Sequence, residues 1–314
     1  MTDAGGSADS QRVARKALLA GLGAYSFWGL VPLYFKLVAA AGADEIIAHR
    51  VVWSVGFLAL VLLLRKRSRV VAHIAISRKV ALALMLSGAL VAANWLVFVY
   101  AVNSDRVLST SLGYFINPLV SVLLGTVVLR ERMFGAQVLA VLLAAAGTIY
   151  LTVQVGQPPW LALALAFSFG LYGLVRKMTD VGPMVGLFWE TLMMMPVAVL
   201  WLVWTARQGT MVFGELGPAQ DLLLVGTGLV TVIPLVLFAT AARGLPLITV
   251  GLMQYLAPSI SFCLAVFLFR EPFTFDHAVA FGCIWSALAL YTAATWQRNR
   301  QQRRIMARAV AASK

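Results

Sequence analysis

The segment Tyr114-Phe115-Ile116-Asn117-Pro118-Leu119-Val120-Ser121 recurs in related form 140 residues later, as Gln254-Tyr255-Leu256-Ala257-Pro258-Ser259-Ile260-Ser261. The same offset places Arg130-Glu131 on Arg270-Glu271. In both places a proline lies among polar and aromatic residues, and an Arg-Glu pair follows at the same distance. Self-similarity at a fixed offset indicates a duplicated structural unit. The chain is therefore predicted to contain two repeats.

The duplication extends toward the start of each copy. The 140-residue offset places Arg50 on Glu190, and an offset of 144 residues places Trp28 on Tyr172. The two copies thus cover most of the chain.

The composition is that of a membrane protein. Hydrophobic residues make up 61% of the 314 residues and charged residues 12%. Soluble domains contain about 45–50% apolar and about 25% charged residues. This difference excludes a soluble enzyme, a disordered chain and a nucleic-acid-binding protein.

Ten apolar blocks are long enough to cross a bilayer, which takes about 20 residues of helix. They run approximately over residues 17–40, 44–64, 80–101, 105–129, 133–152, 159–176, 183–204, 219–242, 246–269 and 274–296. The predicted units are an N-terminal tail at 1–16, a first repeat at 17–152, a second repeat at 159–296 and a basic C-terminal tail at 297–314. Each repeat holds five spans, and because five is odd the second is inserted upside down relative to the first. The predicted fold is an all-α polytopic membrane protein with ten transmembrane helices in two inverted five-helix repeats.

The positive charge predicts the orientation in the membrane. With the N-terminus inside, 20 of the 25 Lys and Arg residues lie in inside segments. Cytoplasmic loops carry such an excess of Lys and Arg. Both termini are therefore predicted to be cytoplasmic in a multi-pass protein of the bacterial inner membrane. The net charge of +13 indicates topology and contact with anionic lipid.

Arg50 and Glu190 are ionisable residues inside predicted spans, where charge is costly and often functional. Counted from opposite faces at 1.5 Å per residue, they differ in depth by roughly 10 Å, so a direct ion pair between them is not expected. Arg50 could attract an anionic group of a substrate, pair with Asp44 or Glu45 at the outer rim, or cap carbonyl groups. Glu190 could carry a coupling proton, or bond to a neighbouring helix.

Pro118 and Pro258 lie near the middle of spans four and nine. A proline inside a helix removes one hydrogen bond and frees the carbonyl four residues earlier. In a membrane that carbonyl must be satisfied by neighbours or by a wet cavity. Because the repeat relates the two prolines, they are expected to line one central cavity. Together with Arg50 they belong to a predicted substrate-binding set that also contains Trp28, Asn94, Trp95, Tyr114, Asn117, Tyr172, Gln254 and Tyr255.

This set is polar and aromatic, which suits a small amphipathic organic molecule. The alternative for each member is interhelical hydrogen bonding or kinked packing. No cofactor or metal is predicted, since three scattered histidines and two cysteines form no ligand pattern. The chain lacks a GxxxxGK[ST] motif, so ATP is not expected to be the direct energy source.

Several motifs spread over nearly the whole chain are shared with a known family. They are Ala24-Tyr25-Ser26-Phe27-Trp28-Gly29, Tyr34-Phe35-Lys36, Asp44-Glu45-Ile46-Ile47-Ala48-His49-Arg50, Asn94-Trp95, Ala101-Val102-Asn103, Ser111 to Val120, Arg130-Glu131-Arg132, Ala166-Phe167-Ser168-Phe169, Tyr172 to Lys177 and Gln254-Tyr255. In these motifs the chain resembles the RarD family, bacterial members of the EamA branch of the drug/metabolite transporter superfamily. The resemblance implies a ten-helix inner-membrane permease in which each five-helix half is one EamA unit. It carries over no family-wide catalytic residue. At Arg130 and Arg270 the wider family often has glycine, a departure expected to matter little for the fold.

The leading functional hypothesis is a secondary transporter that exports small metabolites, amino acids or drugs by alternating access, and not an enzyme. Inverted repeats build an interface near the midplane that suits this mechanism. The alternatives are a membrane-embedded enzyme acting on lipid, which would need a cluster of Asp, His, Ser or Cys near one face, and a non-transporting membrane subunit. The expected partners are a small-molecule substrate and the lipid bilayer, with no nucleic acid. A homodimer is left open.

Overall fold

The computed structural model describes residues 3–65, 78–104, 107–156, 159–270 and 274–312. Within these ranges the regular elements are helices and none is a strand. In chain order they are α1 (Asp3–Leu37), α2 (Ala43–Leu64), α3 (Arg78–Asn103), α4 (Val107–Val127), α5 (Gly135–Val155), α6 (Trp160–Met178), α7 (Pro183–Gln208), α8 (Pro218–Gly244), α9 (Leu247–Met253), α10 (Leu256–Cys263) and α11 (Phe275–Ala312). A π-helical turn over Leu264–Leu268 follows α10 directly.

These helices account for the ten predicted spans. In the described part of the chain, nine stretches are long and apolar enough to cross a membrane, with α9, α10 and the π-helical turn forming one of them. The remaining span is α4, whose apolar stretch Leu112–Val127 is shorter. The prediction of an all-α polytopic membrane protein is therefore confirmed.

The ninth span is broken where a single helix was predicted. α9 ends at Met253, Gln254 and Tyr255 form a turn, and α10 begins at Leu256. Pro258 has no N–H to donate to the carbonyl of Gln254, and the N–H of Ala257 bonds to that carbonyl at 3.2 Å. The break therefore satisfies the carbonyl that the proline frees. Pro118, in contrast, lies inside a continuous α4.

The packing of the helices repeats across the two halves. α4 packs on α6, and its counterpart span packs on α1 through α10. The contact of α3 with α6 likewise corresponds to that of α8 with α1. The pairs α2 with α7, α4 with α9, and α5 with α11 each join one span to its own repeat equivalent. This pairing is what two copies of one five-helix unit produce when they are related by a pseudo-two-fold axis.

Large apolar side chains cover the outside of the bundle. Leu64 is 74% exposed, Val197 72% and Leu200 69%. Soluble monomers rarely expose extended apolar surface. Here such surface is what a lipid environment requires, while the backbone polar groups stay within helices.

Arg130 and Arg270 share an unusual backbone conformation. Their φ angles are 53° and 56°, and they are the non-glycine residues with positive φ within the described ranges. The left-handed region favours glycine because a Cβ atom crowds the following carbonyl there. The two arginines, which the repeat superimposes, therefore occupy the same strained turn after the fourth span and after the ninth.

Candidate functional site: an arginine between the two repeats

Arg50 is held from both repeats. Its Nε donates to the hydroxyl of Thr231 on α8 at 2.9 Å, so a first-repeat side chain is anchored by a second-repeat helix. Its guanidinium carbon lies 4.4 Å from the ring centre of Trp95 on α3 and 5.8 Å from that of Phe35 on α1. Cations over aromatic faces at these distances are attracted by the ring quadrupole. The rings and the hydroxyl thus fix the plane of the guanidinium.

The terminal nitrogens of Arg50 have no partner within the described residues. No acceptor bonds to them there, and no carboxylate lies within 4.0 Å. Arg50 is half-buried, and neither nitrogen is among the fully buried atoms that lack a partner. Pairing with Asp44 or Glu45 at the rim, the alternative for Arg50, is not what the structure shows.

Both rim carboxylates bond elsewhere. Asp44 accepts the indole N–H of Trp201 at 3.1 Å. Glu45 accepts the backbone N–H groups of Val212 and Phe213 at 3.0 Å. These bonds tie the first turn of α2 to α7 and to the segment between α7 and α8. They leave the charge of Arg50 uncompensated by either residue.

Tyr114 on α4 borders the same space. The residue is 55% exposed, and it is close enough to Arg50 for the two groups to interact electrostatically. Tyr114 is therefore an exposed aromatic residue near the guanidinium. The structure therefore brings together three of the predicted residues, namely Arg50, Trp95 and Tyr114.

Trp28 and Tyr172, which the repeat relates, meet in an aromatic cluster through two rings that the sequence did not single out. Phe169 lies 5.7 Å from each of them, and Phe238 lies 5.9 Å from Trp28 and 5.8 Å from Tyr172, between ring centres. Tyr172 is fully buried, whereas Trp28 is half-buried. The cluster joins α1, α6 and α8 next to the Arg50 site, and Trp95 packs in the same core.

The carboxylate of Glu190 is surrounded by one cation and two hydroxyl groups. This carboxylate is fully buried and lies 3.5 Å from a terminal nitrogen of Arg176, which is also fully buried. Ser87 donates to it at 2.6 Å and Tyr172 at 3.3 Å. A buried carboxylate that faces a buried guanidinium and two hydroxyl donors is typical of a structural ion pair. Proton coupling by Glu190 remains a prediction.

The remaining predicted polar residues hold helices together. Asn94 donates to the carbonyl of Leu165 and to the hydroxyl of Ser168, both at 2.9 Å, which joins α3 to α6. Gln254 donates to Ser121 on α4 at 2.9 Å. Tyr255 is fully buried and its hydroxyl bonds to Thr148 on α5 at 3.2 Å.

Asn117 and the two prolines are less directly placed at Arg50. Asn117 is half-buried, and its side-chain oxygen is buried without a partner in the described part of the chain. Pro118 is buried and packs against Gly251 of α9, while Pro258 is half-buried in α10. Neither proline is fully exposed to lipid. That both line one cavity stays a prediction.

The sequence did not single out Phe35, Thr231, Arg176 or Ser87. Phe35 lay within a matched family motif, but nothing in the sequence linked it to Arg50. Arg176 was counted among the charges that set the topology, because it ends α6 beside Lys177. Thr231 and Ser87 are single hydroxyls in apolar helices, which carry no signal of their own. Within the described residues no group of three potential metal ligands is present.

The comparison with known proteins begins with the family model for the EamA-like transporter family. It matches twice, over residues 15–153 and 159–293. This chain belongs to the EamA-like transporter family. The two matches divide the transporter at the junction between α5 and α6, so each five-span half is one EamA-like unit.

The relatives of this EamA-like transporter include proteins of the RarD family. The chain is 42% identical over 300 residues to "Protein RarD" of Streptomyces exfoliatus, and the match covers 95% of the chain and 94% of the relative. The chain is 44% identical over 282 residues to an "Uncharacterized transporter" of Vibrio cholerae, and this match covers 90% of the chain and 93% of the relative. The predicted membership of the RarD family is thereby confirmed.

A solved crystal structure is similar to this EamA-like transporter in fold. The TM-score is 0.67 at 16% sequence identity, and the match covers 88% of the chain and 97% of the other protein. This likeness supports the arrangement of the helices. The family match and the transporters among its relatives make the chain a multi-pass membrane transporter.

Proposed function

We propose that the chain is a secondary transporter that exports a small organic molecule across the bacterial plasma membrane by alternating access. The observation that carries this proposal is the open guanidinium of Arg50, anchored by Thr231 of the other repeat. In transporters built from inverted repeats, the substrate site lies at the repeat interface near the midplane. A site made by both halves changes whenever the halves move relative to each other.

The side of the molecule predicted to be cytoplasmic supports alternating access in a further way. There Glu131, which follows α4, accepts two backbone N–H groups at the start of α9. Lys177, at the end of α6, lies 3.8 Å from the same carboxylate. These polar contacts close one side across the repeat boundary. A rocking motion of the two halves would have to break and reform such contacts.

The proposed orientation places both chain termini in the cytoplasm. It rests on the distribution of Lys and Arg along the sequence. The membrane potential and anionic lipid both favour these positive residues on the cytoplasmic side. Among the residues that the structure describes, no observation favours an enzyme acting on lipid. The buried carboxylates Glu45 and Glu190 are each engaged by several donors, as expected for structural roles.

The test is a flux measurement in proteoliposomes that contain only this protein. Candidate compounds are first selected by thermal stabilisation, because a ligand of the folded state raises its apparent stability. Uptake of each compound into preloaded proteoliposomes is then compared with its uptake into preloaded vesicles that contain no protein. We expect protein-dependent exchange of at least one compound. Lipid turnover without flux of any stabilising compound would overturn the proposal in favour of an enzyme.

Two neighbouring residues on α3 provide a matched pair of variants. Trp95 is 8% exposed and covers Arg50, whereas Leu96 is 67% exposed on the outside of the bundle. We expect Trp95→Ala to reduce the flux strongly and Leu96→Ala to leave it unchanged. Equal flux for both variants would show that transport does not pass the Arg50 site.

A further inference from the structure

We propose that Arg50 binds the carboxylate of the transported substrate, so that the substrate is a small organic acid with an apolar or aromatic body. This inference rests on the proposed transport function and names the chemical class that the site recognises. Its starting point is the way in which the guanidinium is used. Thr231 occupies Nε, and the ring of Trp95 covers one face. The edge that carries the two terminal nitrogens is the part that the described residues do not use.

That edge has the geometry of a carboxylate receptor. A guanidinium presents its N–H groups in a rigid planar fork, which matches the two oxygens of a carboxylate in a bidentate pair. Because Thr231 and Trp95 fix the position and plane of Arg50, little side-chain entropy is lost when a ligand binds. The terminal nitrogens bond to no acceptor within the described residues and are not among the fully buried atoms that lack a partner.

The charge balance favours one negative charge on the ligand. A charge at membrane depth is costly unless it is paired. Glu190, the repeat equivalent of Arg50, is neutralised by Arg176, whereas Arg50 has no carboxylate within 4.0 Å in the described part of the chain. A monocarboxylate would complete the missing pair. A phosphate dianion would leave a second charge without a partner.

The surroundings of the guanidinium favour an acid without an ammonium group. The rim carboxylates Asp44 and Glu45 accept hydrogen bonds from Trp201 and from backbone N–H groups, and no described carboxylate lies within 4.0 Å of Arg50, so none stands beside the guanidinium to pair with an ammonium. Tyr114, which is 55% exposed, lies close enough to Arg50 to interact with it. An aromatic ring near the guanidinium provides an apolar contact for the body of the acid.

The binding test uses the full-length protein in detergent and three probes of one shape. Phenylacetate carries one carboxylate, phenylacetamide has the same shape without charge, and phenylglycine adds an ammonium group to the carbon that bears the carboxylate. We expect phenylacetate to bind the wild-type protein at least about tenfold more tightly than either of the others. Equal binding of phenylacetate and phenylacetamide would overturn the proposal.

Variants of Arg50 test which residue recognises the acid. Arg50→Gln is expected to abolish the preference for phenylacetate, and Arg50→Lys to weaken it, because an ammonium cannot form the planar bidentate pair. The matched control is Arg298→Gln, since Arg298 also stacks on a ring, with its guanidinium carbon 4.7 Å from the ring centre of Phe134. This control should bind as the wild type does. An undiminished preference in a folded Arg50→Gln variant would refute the assignment.

A measurement on the unmodified chain covers the case in which Arg50 variants do not fold. Phenylglyoxal reacts with accessible arginine side chains, and the labelled peptides are identified by mass spectrometry. Phenylacetate should protect Arg50 and not Arg298 from labelling, whereas phenylacetamide should protect neither. Labelling of Arg50 that phenylacetate leaves unchanged would contradict the proposal.

Flux in proteoliposomes separates this inference from the proposed function. Exchange of neutral compounds that Arg50→Gln leaves intact would refute carboxylate recognition while transport stands. Protection of Arg50 by phenylacetate without exchange of any bound acid would support carboxylate recognition and refute transport. Exchange of the acid in wild-type protein and its loss in Arg50→Gln is the result that both proposals predict.

Discussion

The carboxylate of Glu131 accepts the backbone N–H of Leu247 at 2.7 Å, across the boundary between the two repeats. Its second oxygen accepts the N–H of Ile248 at 2.9 Å. Glu131 follows α4 in the first repeat, and Leu247 begins α9 in the second. The first N–H groups of a helix have no partner within the helix, so a side chain from the other half of the molecule supplies one for the broken ninth span.

Lys177 strengthens this connection. Its ammonium lies 3.8 Å from Glu131 and donates to the carbonyl of Ala242 at 3.2 Å and to that of Leu245. The end of α6, the end of α8 and the start of α9 are thereby joined around one carboxylate. The connection is polar and half-buried, so its strength depends on the geometry of a few hydrogen bonds.

Replacing Glu131 should therefore lower the stability of the fold. Glu131→Ala leaves two backbone N–H groups without an acceptor, and we expect it to cost about 3 kcal/mol, since hydrogen bonds to charged groups contribute about 1.5–3 kcal/mol each. Glu131→Gln keeps one acceptor oxygen and should cost less. The measurement is thermal unfolding of the purified protein. Glu215→Ala, at an exposed residue between α7 and α8, is the control. Equal melting temperatures for Glu131→Ala and Glu215→Ala would show that the cap contributes nothing.

The fold followed from the sequence because apolar length and an internal offset determine it. The partners of the central charges did not follow. The 140-residue offset aligned Arg50 with Glu190, and counting along their helices gave each a depth in the membrane. Depth does not specify which face of a neighbouring helix a side chain meets. The pairing of Glu190 with Arg176 depends on the rotation of α6 relative to α7, which the sequence pattern leaves open.

Local backbone geometry could not be predicted from the residue types either. Arginine carries no turn signal, so the positive φ of Arg130 and Arg270 could not be read from the residue type. The proline rule predicts a freed carbonyl at Gln254, but it does not predict that Gln254 and Tyr255 form a turn, because the same rule applies to Pro118 in the continuous α4. In contrast, the central position of Trp95 in its span and the carbonyl that Pro118 frees at Tyr114 place both residues in the predicted central set, and the structure brings both to Arg50.

The buried pair of Arg176 and Glu190 should show a strong dependence on both partners. Glu190→Gln leaves a fully buried guanidinium without its counter-charge, which we expect to cost about 3–5 kcal/mol. The double variant Glu190→Gln with Arg176→Met removes both charges and should recover most of that loss. Thermal unfolding of the single and double variants measures the coupling. No recovery in the double variant would contradict a structural ion pair.

An exposed ion pair nearby provides the control for this cycle. Arg243 lies 2.9 Å from Asp180, whose side chain is 99% exposed. Exposed pairs contribute about 0–1 kcal/mol, so Asp180→Asn should change the melting temperature little. The double variant also tests proton coupling. If it folds and transports, retained pH dependence of flux would remove Glu190 from the coupling mechanism, and lost pH dependence would support a coupling role.

A side chain at position 251 should lower the stability of the fold. A Cβ atom at this position would lie 2.9 Å from the carbonyl oxygen of Pro118 and 2.9 Å from the Cβ of Ser121. We expect Gly251→Ala to cost about 1–3 kcal/mol through overpacking of α4 against α9. The control is Gly56→Ala on α2, where a Cβ would meet nothing within 4 Å and alanine should stabilise the helix by about 1 kcal/mol. Thermal unfolding of both variants decides the matter, and similar effects for the two would argue against close packing at Pro118.

The protein should be more stable with the substitution Arg130→Gly than with Arg130→Ala. Both substitutions remove the same charge, but only glycine adopts a φ of 53° without strain. We expect Arg130→Gly to exceed Arg130→Ala in stability by about 1 kcal/mol, and the same order at Arg270, because a left-handed residue with a Cβ atom costs about 1–2 kcal/mol. The control position is Arg132, which lacks a positive φ, so that glycine there gains nothing and loosens the unfolded chain. Alanine should be the more stable residue at Arg132. If alanine also proved more stable at Arg130 and Arg270, the left-handed turn after each of the two spans would be refuted.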